Sequence, residues 1–415
     1  MSKEYFGGLD FGSSGARLSI INFSKELLYE QSCSYKADFK NPEGWINSCI
    51  ELFKGVPIEI KLYLTRLAIS GTSGTLVPCE LNGHNLGNAI PYNESCSSNP
   101  EKLNLIAGKD NFLNNPYSSL AKAIKLIDIF GENILLRHQS DWISGWFLNN
   151  WEYGEEGNNI KLGWNIIKSS WPSTFESFSI KKCIPTIIKS GSILGKINNL
   201  IADKLQTSRN LLIISGTTDS NAAFLAAQVK EDEGLTILGT TIVLKKLTKN
   251  TFSYPGITIH RVKEDLICGG SSNAGCGILS KFFSDLEIEE LSRQINPRKN
   301  TNLNYLPLNT VGERFPVDDP FLEPILNPRP VSDSLYLHGL LEGLTRIELK
   351  GWERLKEITG SFPNKIITLG GGSKNPQWKA IRERILKIPI LNSNKTTSFG
   401  SALIALSSND GTLHH

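Results

Sequence analysis

A chain of 415 residues is too long for one ordinary hydrophobic core, so two domains are expected. Its 44 lysines and arginines nearly balance 41 aspartates and glutamates, a net charge of +3 that argues against a broad nucleic-acid-binding face. No apolar run approaches the ~18 residues of a membrane span, and seven scattered cysteines without a C-x-x-C pair read as free thiols, so a soluble cytoplasmic protein is expected.

Along the chain, the first element is YFGGLDFGSSGARLSIINF (5–23), an apolar strand, a glycine-serine turn and a second apolar strand, which read as a β-hairpin. Asp10 lies inside the first strand. A buried carboxylate without a partner is costly, so this one is expected to meet a ligand or a cation. RLAISGTSG (66–74) is a buried strand that stops abruptly in glycine and hydroxyl residues. SSLAKAIKLIDIFG (118–131) has the spacing of an amphipathic helix. Residues 151–192 show little periodicity and many aromatic and polar side chains, and read as an excursion on the first domain that walls a substrate pocket. LLIISGTTD (211–219) repeats the strand-then-turn design with Asp219 at its end, and GLTILGTTIVLKKLT (234–248) reads as a second hairpin. Residues 291–333 are proline-rich and read as a long ordered loop on the second domain. The helix 340–360, the strand KIITLGGGS (365–373) and the helix 376–387 complete the pattern. Strands alternating with helices make the fold class α/β. The terminal His414-His415 is assigned no function.

Backbone amides freed by a glycine turn and flanked by Ser or Thr hydroxyls form an anion-binding concavity. Five such turns at strand ends, two of them with a carboxylate, point to a phosphate-rich ligand such as a nucleoside triphosphate. No G-x-x-x-x-G-K-[ST] motif is present, and no G-x-G-x-x-G opens a helix after the first strand, so neither a P-loop nor a dinucleotide fingerprint accounts for the turns. Transfer of a phosphoryl group from ATP to an alcohol needs a base for the hydroxyl proton, Mg²⁺ to spread charge, and amides to hold the γ-phosphate. Carboxylates at strand ends suit the first two tasks. Asp219 serves equally well as the cap of a helix starting at SNAAFLAA, and at this point both readings stand.

In order from the first strand to the last helix, the motifs GLDFGSSGAR, ISGTSGTLVPCELNG, PYNES, SDWISGWF, GTTDSNAAFLAA, LGTTIVLK, GGSSNAGCG, LLEGLTRIE and GGGSKNPQWKAIRERIL resemble those of the FGGY family of carbohydrate kinases. GTSG and GERFP are most similar to the short D-ribulose kinase-like branch. The resemblance implies two actin-like (ribonuclease H-like) domains with a nucleotide and sugar cleft between them. It assigns residues 1–226, with 400–415 packing back on them, to a sugar-binding domain and 227–399 to a nucleotide-binding domain. It further implies Asp219 as catalytic base, and Asp10 as a carboxylate contacting the sugar and, through water, Mg²⁺. Ser13 and Ser14 fall in a first phosphate-facing turn, Gly239 and Thr240 in a second, and Gly371, Gly372, Asn375 and Trp378 where the family holds adenosine. Ser73, Gly15 and Arg17 are implied at the sugar.

Two departures matter. Thr72-Ser73 stands where longer members carry Met-His or a similar pair, which disfavours a xylulose- or glycerol-type pocket. Glu94 in Tyr92-Asn93-Glu94 replaces the usual aspartate. The expected activity is ATP- and Mg²⁺-dependent phosphorylation of a ketopentose, foremost D-ribulose to D-ribulose 5-phosphate. Alternatives are a D-xylulose or polyol kinase, or a catalytically silent nucleotide- and sugar-binding protein of the same fold.

Overall fold

The computed structural model describes residues 3–108 and 112–408, so His414-His415 lies outside the described residues. The chain divides into two compact units, the first comprising residues 1–226, 261–264 and 395–415, the second 227–260 and 265–394. Twelve strands form their two main sheets: β1 (Tyr5–Phe11), β2 (Gly15–Ile21), β3 (Leu27–Ser34), β4 (Leu64–Gly71), β5 (Ile193–Lys196), β6 (Leu212–Thr218), β7 (Glu233–Leu238), β8 (Ile242–Thr248), β9 (Ile257–Val262), β10 (Asp265–Ser271), β11 (Lys365–Leu369) and β12 (Ile390–Asn392).

The first sheet has the order β3-β2-β1-β4-β6-β5 and the second β9-β10-β8-β7-β11-β12. In the first, β1 pairs antiparallel with β2 and parallel with β4, which runs parallel to β6. In the second, β7 pairs antiparallel with β8 and parallel with β11, which runs parallel to β12. The two sheets therefore share a central antiparallel hairpin continued by two parallel strands, β2-β1-β4-β6 and β8-β7-β11-β12; in the second, β8 pairs next with β10, reached only after the edge strand β9. The repeated glycine-hydroxyl hairpins are the opening of each copy. Both close on three residues, with Gly12 N–H donating to the Gly15 carbonyl at 3.0 Å and Gly239 N–H to the Thr241 carbonyl at 3.1 Å.

In the first unit, glycines let backbone press on backbone around the ends of β1 and β6. The helix Thr397–Leu406 lies so close to β1 that a Cβ on Gly8 would sit 2.1 Å from the Ser398 carbonyl oxygen. Gly400 of that helix meets the Ala222 carbonyl, on the helix Asp219–Ala226, in the same way at 1.8 Å. Around Gly216 the pairing of β6 with β4 shifts register between Ser215 and Thr218, and this aims Asp219 off the strand end. Trp45, Phe53 and Phe147 fill the core beneath.

The second unit is built round the helix Asp333–Thr359, whose Trp352 packs against Gly234 of β7 so tightly that a Cβ there would lie 2.4 Å from the ring. Residues 294–332 hold no helix or strand; isolated bridges such as Leu306 with Ile325 order them. Residues 151–192 are more structured than their aperiodic sequence suggests. Tyr153–Glu155 pairs in parallel with Thr186–Ile188, and the turn Glu156–Asn159 follows directly. Elements of three or four residues are too short to impose a readable period.

Candidate active site

Register places the two aspartates. Asp10 on β1 is opposite Ser70 of β4, and Thr218 at the end of β6 is opposite Gly71. Asp10 and Asp219 therefore flank the end of β4, with backbones roughly 10 Å apart, two strand spacings. Asp10 is 7% exposed and its Oδ1 has no hydrogen-bond partner. Burial, then the charge of Asp219, lifts its pKa to about 7, while Arg17 pulls the other way. Arg17 is opposite Asp10 on β2 and is exposed. Asp219 opens the helix Asp219–Ala226 and its Oδ1 accepts the Ser220 N–H at 2.7 Å, so a helix start and an aimed carboxylate coexist in one residue.

Ser13 and Ser14 are exposed at the tip of the β1–β2 hairpin. Gly15 is used by the hairpin itself. Its carbonyl closes the turn, and a Cβ would lie 2.2 Å from the Cys33 carbonyl oxygen, so close packing on β3 requires a glycine here. Ser73 lies in the turn after β4, half-buried, with its carbonyl accepting Lys161 Nζ at 3.0 Å. Glu94 is engaged elsewhere, by Lys40 at 2.7 Å and Lys125 at 3.9 Å.

Four polar residues around this turn escaped the sequence reading. Gln139 Oε1 accepts from both the N–H (2.9 Å) and the hydroxyl (2.8 Å) of Thr72. Tyr35 donates to the Gly12 carbonyl at 2.8 Å and faces Asp10. Lys122, fully enclosed, donates to the carbonyls of Gly74 (2.8 Å), Tyr117 (3.1 Å) and Tyr92 (3.2 Å). Burial lowers its pKa to about 8, so it stays charged at neutral pH. Lys161 is the fourth. Lys122 had one signal: it shares a helix face with the apolar Leu126 four residues on.

In the second unit, the turn Gly239–Thr241 and the segment Gly370–Gly372 converge at the carboxyl ends of β7 and β11. A Cβ on Gly370 would lie 2.4 Å from the Leu238 carbonyl oxygen, and one on Gly372 would lie 2.9 Å from Leu238 Cβ. The Gly239 and Thr240 carbonyls accept the N–H groups of Cys276 (2.8 Å) and Gly277 (3.2 Å). Thr240 and Gly371 are exposed. Carboxyl ends of parallel strands are the usual place for a ligand in open α/β sheets. Asn375 caps the helix Pro376–Leu386 through the Trp378 N–H at 3.0 Å and donates to Ser292 at 2.7 Å. Trp378 corrects the expectation of a nucleotide contact. It is 1% exposed, its ring lies under Gly372, and its Nε1 donates to Thr345 at 3.0 Å. It supports the glycine loop from beneath.

The hard-oxygen donors suit Mg²⁺. Asp10 Oδ1 is a buried acceptor without a donor, and Mg²⁺ is commonly held by one or two carboxylates, waters and substrate phosphates. Among the described residues no three His, Cys, Asp or Glu side chains form a cage. Among the described residues no helix is long and apolar enough to cross a membrane.

No family model matches the chain. It is 23% identical over 442 residues to a xylulose kinase of Lactococcus lactis, covering 97% of this chain and 87% of that one. A xylulose kinase of Staphylococcus epidermidis is 24% identical over 446 residues, covering 98% and 88%. Among solved structures, a xylulose kinase from Brucella ovis superposes with a TM-score of 0.84 at 18% identity, covering 98% of this chain and 90% of that one. Plasmodium falciparum glycerol kinase with ADP gives 0.79 at 18%, covering 97% and 89%. These likenesses establish the two-domain actin-like α/β fold and support the FGGY carbohydrate kinases as the family.

Proposed function

We propose that the chain is an ATP-dependent carbohydrate kinase that phosphorylates a terminal hydroxyl of a ketopentose. The observation that carries this reading is the pair Asp10 and Asp219, flanking one strand end beside the Gly12–Ser14 turn in a sheet whose twin repeats that turn without an acid. The names of the relatives, xylulose and glycerol kinases, support the reaction class.

In this reading Asp219 accepts the proton of the sugar hydroxyl as its oxygen attacks the γ-phosphorus of ATP and ADP leaves. The helix start and the Ser220 N–H stabilise the ionised carboxylate that this needs. Asp10 would hold Mg²⁺ through water and contact the sugar; the ion, when bound, neutralises charge on the phosphates. Ser13 and Ser14 offer hydroxyls to the transferring phosphoryl group, and Ser73 with Arg17 face the sugar. Gly239 and Thr240 receive phosphates, with Gly371, Gly372 and Asn375 toward adenosine.

D-ribulose is the acceptor favoured by the small turn Thr72-Ser73-Gly74. D-xylulose is the second reading, favoured by the relatives' names. The test is turnover of ATP with Mg²⁺ over a panel of pentuloses, pentoses and polyols, ranked by kcat/KM. Asp219→Ala should lower kcat by about 10²-fold or more while leaving the fold intact. Silence across the panel, or full activity in Asp219→Ala, refutes the assignment.

A further inference from the structure

Two carbonyls of the Gly12–Ser14 turn are held by one residue. Tyr35, directly after β3, donates its phenol to the Gly12 carbonyl at 2.8 Å and its backbone N–H to the Ser14 carbonyl at 3.4 Å. Burial, then the charge of Asp10, pushes the phenol's pKa up, so it remains a protonated donor at neutral pH. The Gln139 side chain hydrogen-bonds the same hydroxyl. Among the described residues nothing accepts the N–H of Ser13 or of Ser14, and both residues are exposed. A Cβ on Gly12 would meet only the Gly15 carbonyl oxygen within 4 Å, at 3.6 Å, so the turn is not packed over at Gly12.

A peptide group is planar and trans, so the Gly12 C=O and the Ser13 N–H point in opposite directions from one rigid unit. Holding the first therefore aims the second away from Tyr35. The second unit reaches the same arrangement by other means. There the Gly239 carbonyl accepts the Cys276 N–H at 2.8 Å, which aims the Thr240 N–H away from that segment, and the Thr240 carbonyl accepts the Gly277 N–H at 3.2 Å. Two backbone amides tie the second turn. One amide and one side-chain hydroxyl tie the first, and that hydroxyl can be removed without touching the backbone.

We propose that Tyr35 is a positioning residue for phosphoryl transfer: its hydroxyl, by fixing the Gly12 carbonyl, presents the Ser13 N–H to the transferring phosphoryl group; this rests on the kinase reading above. In this role Tyr35 touches neither reactant. A donor already aimed at the place where charge develops needs no reorientation during the reaction, so its benefit falls on the transition state and not on ground-state binding.

Tyr35→Phe removes the hydroxyl and keeps the ring that packs against Phe39, centroids 5.9 Å apart, so the variant should fold, as thermal melting checks. With the best acceptor of the sugar panel, kcat should fall by about tenfold or more, toward the ~10²–10³-fold that loss of a transition-state hydrogen-bond donor costs. Calorimetric Kd values for the sugar and for ADP should stay within about twofold. Aluminium fluoride, a stand-in for the transferring phosphoryl group, should tighten ADP binding to wild-type protein with sugar and Mg²⁺ present, and about tenfold less in the variant. Ser13→Pro, which deletes the N–H itself, should have a lower kcat than Ser13→Ala, which loses only the hydroxyl. A folded Tyr35→Phe protein with wild-type kcat and wild-type aluminium fluoride response overturns the proposal alone. So does a sugar or ADP Kd that weakens as much as kcat falls, or a Ser13→Pro protein as active as Ser13→Ala. Wild-type protein that phosphorylates no sugar of the panel overturns the kinase reading, and this proposal with it.

Discussion

Arg382 and Glu348 form an ion pair in which each side chain is 1% exposed. Two parallel bonds of 2.7 Å join them, and each partner reaches one strand: Thr236 donates to Glu348 at 2.6 Å, and Arg382 donates to Thr368 at 2.9 Å. Thr236 on β7 and Thr368 on β11 are direct register partners. The pair therefore pins the helices Asp333–Thr359 and Pro376–Leu386 to one rung of the sheet, just before the turns at Gly239 and Gly370. Arg382→Met removes three donated bonds and leaves the Glu348 carboxylate buried with a single hydroxyl. Breaking a buried pair from one side costs about 3–5 kcal/mol. At about 2–4 °C per kcal/mol for a unit of this size, the second unit's melting temperature should fall by roughly 6–20 °C. Desolvation, not the lost attraction, dominates that cost, so adding Glu348→Leu should recover most of it. Denaturant titration and scanning calorimetry of both variants provide the measurement. A loss below about 1 kcal/mol in Arg382→Met, or a double variant no more stable than the single one, refutes the reasoning.

Gly371 and Gly372 separate binding from folding. A Cβ on Gly371 meets nothing within 4 Å, so Gly371→Ala should leave the melting temperature unchanged and weaken ATP binding measured by calorimetry. A Cβ on Gly372 lies 2.5 Å from the Trp378 ring and 2.9 Å from Cys276 Sγ, so Gly372→Ala should cost stability, about 1–3 kcal/mol by denaturant titration. Lys122→Met orphans three carbonyls; a loss of about 2–4 kcal/mol is expected, with a raised sugar KM because the Ser73 turn loses its anchor. Burial raises the Asp141 pKa from 3.8 to about 7, although Glu155 N–H (3.0 Å) and Asn159 Nδ2 (3.1 Å) donate to it. The folded state then holds a proton that the unfolded state has released, so this group's stabilisation is complete below about pH 4 and disappears as pH rises through 7. Wild-type stability relative to Asp141→Asn should fall between about pH 4 and pH 7; a pH-independent difference refutes it.

The strands were legible because their signal is local. Runs such as LLIIS and KIITL announce burial on both faces, and the glycines after them announce a turn. Asp10 and Asp219 could be singled out for a related reason, since a carboxylate in or beside an apolar strand needs an explanation. Which way a side chain faces is a tertiary fact. Trp378 sits among polar neighbours in GGGSKNPQWKA, yet it belongs to the core beneath the loop. Gly15 follows two serines like a ligand-binding glycine, but the Cys33 carbonyl occupies the space a side chain would take. Gln139 lies in a helical sequence that gives a reader no cause to bury an amide, and Lys122 offered only its place on the same helix face as Leu126. The Thr72 N–H that donates to Gln139 is 67 residues away in sequence, and the Gly74 carbonyl that accepts from Lys122 is 48 away.

The two sheets share a hairpin continued by two parallel strands, and within that shared part the differences are chemical. Aligning the hairpins on Gly12 and Gly239 sets Asp10 against Ile237. The last strand of that shared part ends in Thr218-Asp219 in the first unit and in Asn392-Ser393-Asn394 in the second. Both carboxylates of the first unit are thus neutral in the second. A turn that presents amides and hydroxyls to a triphosphate carrying several negative charges gains from having no acid beside it, since like charges in a partly buried site repel strongly. A turn that must hold a hydroxyl, take its proton and retain a hydrated cation requires the acids. In the proposed kinase reading, the same fold element serves as an anion receptor where the strand ends are neutral and as a proton-accepting, cation-retaining centre where they are acidic. Ile237→Asp carries the argument to a measurement: it should weaken ATP binding in the second unit, most of all without Mg²⁺, by about tenfold or more at low ionic strength. Unchanged nucleotide affinity in a folded Ile237→Asp protein would remove the electrostatic basis for this division of labour.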